Sequence, residues 1–299
     1  MEKMNIPRKY KIWRYPLFLK IRYSFKRAFR KESICLTYWI HSNTFLWSPW
    51  ISSYNWGDYV NLRLAELISG KAIIPSKFVL FSPKISMMGS ILPWAMDKDT
   101  IVWGSGCLNS HDPLWENVEK PMKVCAVRGP LTRNVLIEHG IDCPEIYGDP
   151  ALCFPRYYQP KVRKMHRIGI IPHASNIKRG LRENIRIPGD AIIINPCEFS
   201  QWNEFVDQIL SCEVIFSASL HGIIISDAYG VPNVWISFTG DEHPDNNFKF
   251  HDYFLSVGKN SESPLNANDI DFYNIRQYVR AWKKPHIDVN KLLEVCPLK

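Results

Sequence analysis

The sequence predicts an α/β protein with two Rossmann-like domains. Short apolar strands alternate with helical segments in both halves of the chain, as in parallel sheets that carry helices on both faces. A polar, basic and proline-containing stretch, residues 155–167, separates the two sets of repeats as a linker would. A chain of 299 residues is also long for a single hydrophobic core. Two such domains facing each other would leave a cleft for a ligand.

We expect four segments: a basic amphipathic leader over 1–32, domains over 33–158 and 165–285, and a C-terminal tail over 286–299. Residues 1–31 hold eleven lysines and arginines and one acidic residue, so they carry +10, whereas the rest of the chain sums to −2. Cations interleaved with aromatic residues suit a helix on an anionic membrane surface. A solvated tail or a helix packed on its own domain fits equally well, and nucleic-acid contact fits less well.

The composition argues against several classes of protein. No apolar run approaches the ~18–20 residues of a membrane span, and no secretory signal peptide follows the basic N-terminus. None of the eight cysteines forms a CxxC pair, which argues against a structural zinc and a disulfide framework. We therefore expect thiols, mostly buried, in a protein of the reducing cytoplasm.

In the N-terminal half, strands alternate with two helices. Strands are predicted over 33–40, 77–81, 100–103 and 123–127, a loop or short strand over 86–91, and helices over 58–69 and 131–138. An aromatic-rich loop over 45–56 could stack on a sugar ring, although packing of the domain edge explains it as well. Gly70 ends the first helix, and Pro130 fits the start of the second.

Three groups in this half would lie at strand or helix ends. Asp58 begins the first helix, where it is either an N-cap or a carboxylate facing the crevice. Gly104-Ser105-Gly106 follows a strand and lets backbone approach a ligand closely. Arg128 also follows a strand, and arginine suits bidentate recognition of carboxylate or phosphate.

In the C-terminal half, the stretch 213–238 is the most informative. Strands are predicted over 168–172, 191–195, 214–216 and 234–237, helices over 199–210, 220–229 and about 268–282, and a polar loop over 239–251. The turn after the third strand carries Ser217, Ser219 and His221. Because helix N-termini at strand ends bind anions, this turn suggests a phosphate- or carboxylate-bearing ligand. A histidine satisfied in the core or used as a helix cap is the alternative.

Five motifs, in order over about residues 52–240, resemble the polysaccharide pyruvyl transferase family, in its succinoglycan-type branch. They are Asn55-Trp56-Gly57-Asp58 with Asn61, Gly104-Ser105-Gly106, Val127-Arg128-Gly129-Pro130, Tyr147-Gly148-Asp149-Pro150-Ala151, and Ser219-Leu220-His221-Gly222 with Asp227 and Gly230-Val231-Pro232. The resemblance implies a GT-B-like arrangement of the two domains with the active site between them. It also implies transfer of a pyruvyl group from phosphoenolpyruvate to a sugar as a cyclic ketal.

The resemblance assigns donor binding or catalysis to four positions, Asp58, Arg128, Leu220 and His221. We add Ser217, Ser219, Gly104 and Ser105 to the donor site, and Asn55, Trp56 and Asn61 to the acceptor site. Many members of the family carry arginine where this chain has Ser219. The resemblance also implies a hexose acceptor such as galactose on a lipid-linked repeat unit. That acceptor would suit an enzyme held on the cytoplasmic membrane face by residues 1–31.

Ketal formation requires a proton on the methylene carbon of the donor while a hydroxyl group attacks the central carbon. His221 is our first candidate for that acid, since a neighbouring phosphate dianion would raise its pKa. His221 could instead protonate the departing phosphate. Asp58 would act as the base or orient the acceptor. No metal or further cofactor is expected. A nucleotide-sugar glycosyltransferase of the same architecture and a binding module without catalysis are the other hypotheses.

Overall fold

The computed structural model describes residues 33–38, 55–76, 83–178, 187–238, 247–260 and 263–299. The leader over 1–32, most of the aromatic-rich loop and the strand predicted over 77–81 lie outside these ranges.

The N-terminal half is built on a parallel sheet of five strands. Its elements are β1 (Ile34–Thr37), α1 (Trp56–Ser69), β2 (Ile73–Pro75), β3 (Lys84–Ser86), β4 (Ser90–Leu92), β5 (Thr100–Trp103), β6 (Gly106–Cys107), β7 (Lys123–Ala126) and α2 (Pro130–Glu138). The sheet has the strand order β2-β1-β3-β5-β7, and every pairing is parallel. Strands β4 and β6 pair separately, just beyond the carboxyl ends of β3 and β5.

The C-terminal half contains a second parallel sheet of five strands. Its elements are β8 (His166–Ile171), α3 (Ala174–Lys178), β9 (Ala191–Ile193), α4 (Glu204–Leu210), β10 (Cys212–Ser217), α5 (Leu220–Ala228), β11 (Asn233–Ser237), α6 (Phe248–Ser256), β12 (Leu265–Asn266), α7 (Arg276–Ala281) and α8 (Val289–Glu294). The strand order is β12-β11-β10-β8-β9, again with parallel pairings throughout. The predicted α/β class with parallel sheets is confirmed.

Helix α1, which contains Asp58, is bounded by a capping residue at each end. The side chain of Asn55 caps α1 by accepting a hydrogen bond from the Gly57 amide at 3.1 Å. Gly70 ends the helix in the left-handed conformation at φ 65°, which glycine adopts without strain. Trp56 and Leu64 of α1 are fully buried in the largest core cluster, which joins residues of both halves.

Two predictions in the C-terminal half are wrong. The stretch 239–251 is not loop throughout, because α6 begins at Phe248 and buries Phe250 and Phe254 against Trp235. The polar residues before Phe248 hid this aromatic helical pattern. A single helix over 268–282 is also wrong. A 3-10 turn over Ala267–Asp269 and the short α7 replace it, with Ile270, Phe272 and Ile275 buried in a small cluster between them.

The segment predicted as a C-terminal tail, 286–299, contains α8 and packs on the N-terminal half. The indole Nε1 of Trp103, at the end of β5, donates a hydrogen bond to the carbonyl oxygen of Leu292 at 2.9 Å. Leu292 and Leu298 are buried in the same cluster as Trp103. These contacts complete the core beneath the first sheet with residues that follow the whole second sheet in sequence.

Three observations bear on the class of protein. Within the described residues, no helix has the length and apolar character needed to cross a membrane. In the same part of the chain, no group of three or more His, Cys, Asp or Glu side chains is arranged to hold a metal ion. All eight cysteines are thiols, and seven of them are buried.

Candidate active site

The start of α1, in the N-terminal half, lies against the carboxyl edge of the second sheet. The amide of Trp56 donates a hydrogen bond to the carbonyl oxygen of Pro196, just after β9, at 2.7 Å. Gly57 packs against His221, just after β10, so closely that a Cβ at Gly57 would overlap the imidazole. The first turn of α1 therefore meets two strand ends of the other half, and the residue after Gly57 is Asp58.

His221, at the start of α5, is a histidine with a lowered pKa and a buried ring nitrogen that no described residue pairs. It lies in the first turn of α5, and its Nε2 atom is buried without a hydrogen-bond partner among the described residues. Burial, together with the positive charges of Arg128 and Lys249, lowers the pKa of His221 to about 4. The imidazole is therefore neutral at pH 7. A buried polar atom without a partner costs ~1–3 kcal/mol, and such atoms occur at functional sites.

Asp58 is shifted in the opposite direction. Its side chain is half-buried, and burial raises the pKa of its carboxyl group to about 7. The N-cap role is taken by Asn55, so Asp58 is not required to cap α1. The carboxyl group is therefore partly protonated at neutral pH, and it follows directly after Gly57, the residue that packs on His221.

Arg128 is placed at the end of β7 as predicted, but it is only 1% exposed and its guanidinium group is engaged by protein atoms. Its Nε donates to Asp252 at 3.0 Å, while Nη1 and Nη2 donate to Ser90 and to the Cys107 carbonyl, both at 2.6 Å. Gly106 lies flat against the guanidinium, since a Cβ there would overlap it. Arg128 acts on His221 through its charge.

The remaining residues assigned to the donor site shape the backbone. The Ser217 hydroxyl donates to the Ser219 carbonyl at 2.8 Å and accepts from the Ser219 amide at 3.1 Å, which closes the turn before α5. Ser105 shares a buried hydrogen bond with Ser86 at 2.7 Å. Gly104, at φ 89°, packs on Pro150. Leu220 is 7% exposed and belongs to the core.

Of the three residues assigned to the acceptor, two are buried. The indole of Trp56 donates to the Trp202 carbonyl at 2.6 Å and stacks on Phe205 at 4.6 Å between ring centroids. The Asn61 side chain donates to the Gly57 carbonyl and accepts from the Met88 amide, both at 3.1 Å. Both hold the start of α1 in place. Asn55, the cap of α1, is partly exposed beside Asp58.

The sequence reading missed two residues of α6, Lys249 and Asp252. Asp252 is fully buried and accepts hydrogen bonds from Arg128 and from the amide and hydroxyl groups of Thr132 at 2.7–3.0 Å. Lys249 lies one turn earlier and lowers the pKa of His221. The spacing of Phe248, Phe250, Tyr253 and Phe254 was the signal for this helix. Had this helix been predicted from the sequence, its charged residues Lys249 and Asp252 would have been candidates for the site.

The sequence model of the family described as "Polysaccharide pyruvyl transferase" matches residues 80–239, which is more than half of the chain. The matched part contains Arg128, the turn after β10 and His221. It does not contain α1 or α6.

The chain is also similar to individual proteins. The chain is 28% identical over 214 residues to an uncharacterized protein of Acanthamoeba polyphaga mimivirus, covering 70% of this chain and 72% of that one. It is 28% identical over 215 residues to the succinoglycan biosynthesis protein ExoV of Rhizobium meliloti, covering 70% of this chain and 64% of the relative. A crystal structure of an uncharacterized protein of Klebsiella pneumoniae superposes with a TM-score of 0.43 at 12% identity, over 79% of this chain and 93% of that one.

Proposed function

Because the chain belongs to the polysaccharide pyruvyl transferase family, we propose that it transfers the pyruvyl group of phosphoenolpyruvate to two hydroxyl groups of one sugar. The product is a cyclic pyruvate ketal, and phosphate is released. The proposed architecture is GT-B-like, with the donor bound between the two halves where α1 and α5 meet. The proposed acceptor is a hexose such as galactose in a lipid-linked precursor of a polysaccharide repeat unit.

One observation carries the proposal. His221 and Asp58 lie on helices that touch at Gly57, and the pKa values of the two residues are shifted in opposite directions, to about 4 and about 7. Two neighbouring groups with pKa values pushed apart are the usual basis of acid and base roles in one active site. At pH 7 the neutral imidazole is a proton acceptor, whereas the protonated fraction of Asp58 is a donor.

The reaction needs four proton transfers. The enzyme gives two protons, one to the methylene carbon and one to the phosphate, and it accepts two protons from the hydroxyl groups of the sugar. Asp58 gives its proton to the methylene carbon of the donor, while His221 accepts the proton of the attacking hydroxyl group and the first C–O bond forms. His221 then gives that proton to the phosphate as the C–O bond to phosphate breaks. Asp58 accepts the proton of the second hydroxyl group as the second C–O bond forms. Two hydroxyl protons thus end on the methyl group and on phosphate, and both residues return to their starting states.

This scheme differs from our first sequence-based assignment, in which His221 protonated the methylene carbon. It retains the alternative in which His221 protonates the departing phosphate. The reason is the depressed pKa of His221, which leaves no proton on the imidazole before the acceptor is deprotonated.

The test is phosphate release from phosphoenolpyruvate with a panel of free and lipid-linked hexoses, galactose among them. We expect release that depends on the acceptor, and a product heavier than the acceptor by one pyruvyl group. The value of kcat/KM should be highest between about pH 4 and 7, falling above 7 as Asp58 ionises and below 4 as His221 is protonated. In Asp58→Asn the kcat/KM that remains should no longer fall as the pH rises through about 7.

Wild-type protein that consumes a nucleotide sugar and ignores phosphoenolpyruvate would reject the proposal in favour of a glycosyltransferase. Membrane association is tested separately by deleting residues 1–31. The truncated protein should leave the membrane fraction with its turnover of a soluble acceptor intact. If it still pellets with membranes, the membrane role of the leader is wrong and the transfer reaction is unaffected.

A further inference from the structure

A chain of hydrogen bonds runs from α6 to the carboxyl edge of the first sheet. The carboxylate of Asp252, which is fully buried, accepts a hydrogen bond from the Nε atom of Arg128 at 3.0 Å. Arg128 in turn donates through Nη1 to the hydroxyl oxygen of Ser90 at 2.6 Å. Arg128 is 1% exposed, whereas Ser90 is partly exposed. The chain therefore begins in the interior and ends at a hydroxyl group that a ligand can reach.

The direction of this chain determines what the Ser90 hydroxyl group can do. A guanidinium group donates hydrogen bonds and accepts none, so the Ser90 oxygen is the acceptor toward Arg128. The hydroxyl proton is thus left for another acceptor, and the described residues offer it none. Because hydrogen bonds in a chain polarise one another, this hydroxyl group is a stronger donor than an isolated serine. An anionic oxygen is the acceptor with which such a donor forms the strongest hydrogen bond.

Contacts around Ser90 place it at the edge where α1 meets α5. Ser90 begins β4, which pairs with β6 just beyond the carboxyl ends of β3 and β5, and ligands of open parallel sheets bind at such an edge. Two residues earlier, the Met88 amide donates to Asn61 Oδ1 at 3.1 Å. The Asn61 side chain donates to the Gly57 carbonyl at 3.1 Å, and Gly57 packs directly on His221. A continuous series of contacts thus joins the loop before β4 to His221.

We propose that Ser90 binds an anionic oxygen of the donor, and that the ion pair of Arg128 with Asp252 holds the Ser90 hydroxyl group in place from behind. The inference rests on the proposed function and adds to it a donor-binding residue that lies outside the five sequence motifs. Arg128 is covered by protein atoms, so Ser90 is the member of the chain that contacts the donor. Phosphoenolpyruvate carries a carboxylate and a phosphate group, and the experiments distinguish the two.

The first experiment measures binding without turnover. Phosphoenolpyruvate is titrated into the full-length protein in a calorimeter, with no acceptor present. Ser90→Ala should weaken the Kd about 10–100-fold, the effect of losing one hydrogen bond to a charged group. Ser90→Thr keeps the hydroxyl group and should stay within about threefold of the wild type. The matched control is Ser69→Ala, which removes a half-buried hydroxyl group bonded to the Ala65 carbonyl at 2.6 Å, at the far end of α1.

Two smaller probes identify the group that Ser90 binds. Inorganic phosphate, and pyruvate as the carboxylate probe, are titrated separately into the wild type and Ser90→Ala. A weaker Kd for one probe alone assigns Ser90 to that group. Unchanged Kd values for all three ligands in Ser90→Ala, or a wild type that binds none of them, would overturn the inference. If the wild type binds these anions but releases no phosphate with any acceptor, the proposed function fails, and the titrations still decide the role of Ser90.

A last measurement separates a direct contact from an effect through Arg128. The side-chain Nε–H signal of Arg128, assigned by its loss in Arg128→Lys, is followed by NMR. This group is bonded to Asp252 and not to Ser90, so its signal should stay close to the wild-type position in Ser90→Ala while the Kd weakens. A signal that moves to the position of a solvent-exposed arginine would assign the weaker binding to a displaced guanidinium group, and it would contradict a contact between Ser90 and the donor.

Discussion

The two ends of helix α5 bury titratable groups in opposite ways. At its last turn, the Asp227 carboxylate is 2% exposed and is bound by four side chains, those of Lys259, Asn233, Tyr253 and Trp282, at 2.7–3.1 Å. At its first turn, the Nε2 atom of His221 is buried with no partner in the described part of the chain. One helix of nine residues thus carries a satisfied charge at one end and an unsatisfied polar atom at the other.

We infer that this difference separates a structural group from a proposed functional one. A buried charge with all its hydrogen bonds formed holds neighbouring elements together, and Asp227 ties α5 to α6 and to the segment after α7. A buried atom left without a partner has a cost in the folded protein that selection would remove if the atom did nothing. The two residues look alike in the sequence motif, since both belong to the stretch that resembles the family.

The largest effect is expected from His221→Ala. Loss of a positioned acid-base group should lower kcat about 10²–10⁴-fold. The free energy of unfolding should stay the same or rise, because the variant no longer buries an unpaired nitrogen. Steady-state phosphate release and urea denaturation measure the two quantities, with the exposed His111→Ala as the control. A variant that loses stability but keeps kcat would place His221 with Asp227 as a structural residue.

The converse change, Asp227→Ala, should act on stability. It leaves the Lys259 ammonium buried without its counter-charge, and such a loss costs about 3–5 kcal/mol in the free energy of unfolding. Urea denaturation checks this value. The double variant Asp227→Leu with Lys259→Met should recover most of the lost stability, since a pair replaced by apolar groups leaves no unpaired charge. A double variant as unstable as the single one would show that the charge is not the cause.

A smaller change at Gly57 tests whether the unpaired end depends on its geometry. A methyl group at Gly57 would overlap the imidazole, so Gly57→Ala must displace His221 or α1. A displacement of about 1 Å is expected to lower kcat about 100-fold. Gly189→Ala is the matched control, because a Cβ there meets no atom within 4 Å. Equal kcat in the two variants would mean that the contact between the halves does not set the position of His221.

The smallest effect is the pH dependence of stability in the wild type. The raised pKa of Asp58 contributes stability that is present below pH 3.8 and is lost as the pH rises through about 7. The lowered pKa of His221 contributes stability that is present above pH 6.5 and is lost as the pH falls through about 4. The two slopes oppose each other between about pH 4 and 6.5, so the free energy of unfolding should be nearly flat there.

Each single variant should reveal the slope of the other group. In His221→Ala stability should fall as the pH rises from 4 to 7, and in Asp58→Asn it should rise from pH 4 to 6.5. Each slope should be at most about 1.4 kcal/mol per pH unit, the value for one proton. Urea denaturation at half-unit steps of pH measures them. Identical profiles in all three proteins would show that these pKa shifts are absent.

Most of the fold could be predicted from the sequence, because apolar strands and capped helices are recognisable from local sequence patterns. Thr100–Trp103 and Lys123–Ala126 were found this way, and so was the unit from β10 to β11. The rule that ligands lie at the carboxyl ends of parallel strands pointed to Arg128 and His221, which follow β7 and β10 in the structure. Helix α6 was lost because its start follows a polar run, and Lys249 and Asp252 were lost with it.

The contacts between distant residues could not be predicted. Nothing near Arg128 in sequence indicates that Asp252, 124 residues away, will occupy its guanidinium group. Trp56 looked like a sugar-stacking residue, but its burial depends on Phe205 and Trp202 of the other half. Pairings of this kind are set by how the two sheets face each other, which local pattern does not determine.

The hydrogen bond from Trp103 to Leu292 has a consequence for how the protein is made. The ribosome completes the strands of the first sheet well before it reaches α8, and most domains fold in the order of their synthesis. Here the core under β5 lacks Leu292 and Leu298 until residues beyond the whole second sheet have emerged. The half that is synthesised first therefore cannot complete this part of its core until the second half has been synthesised.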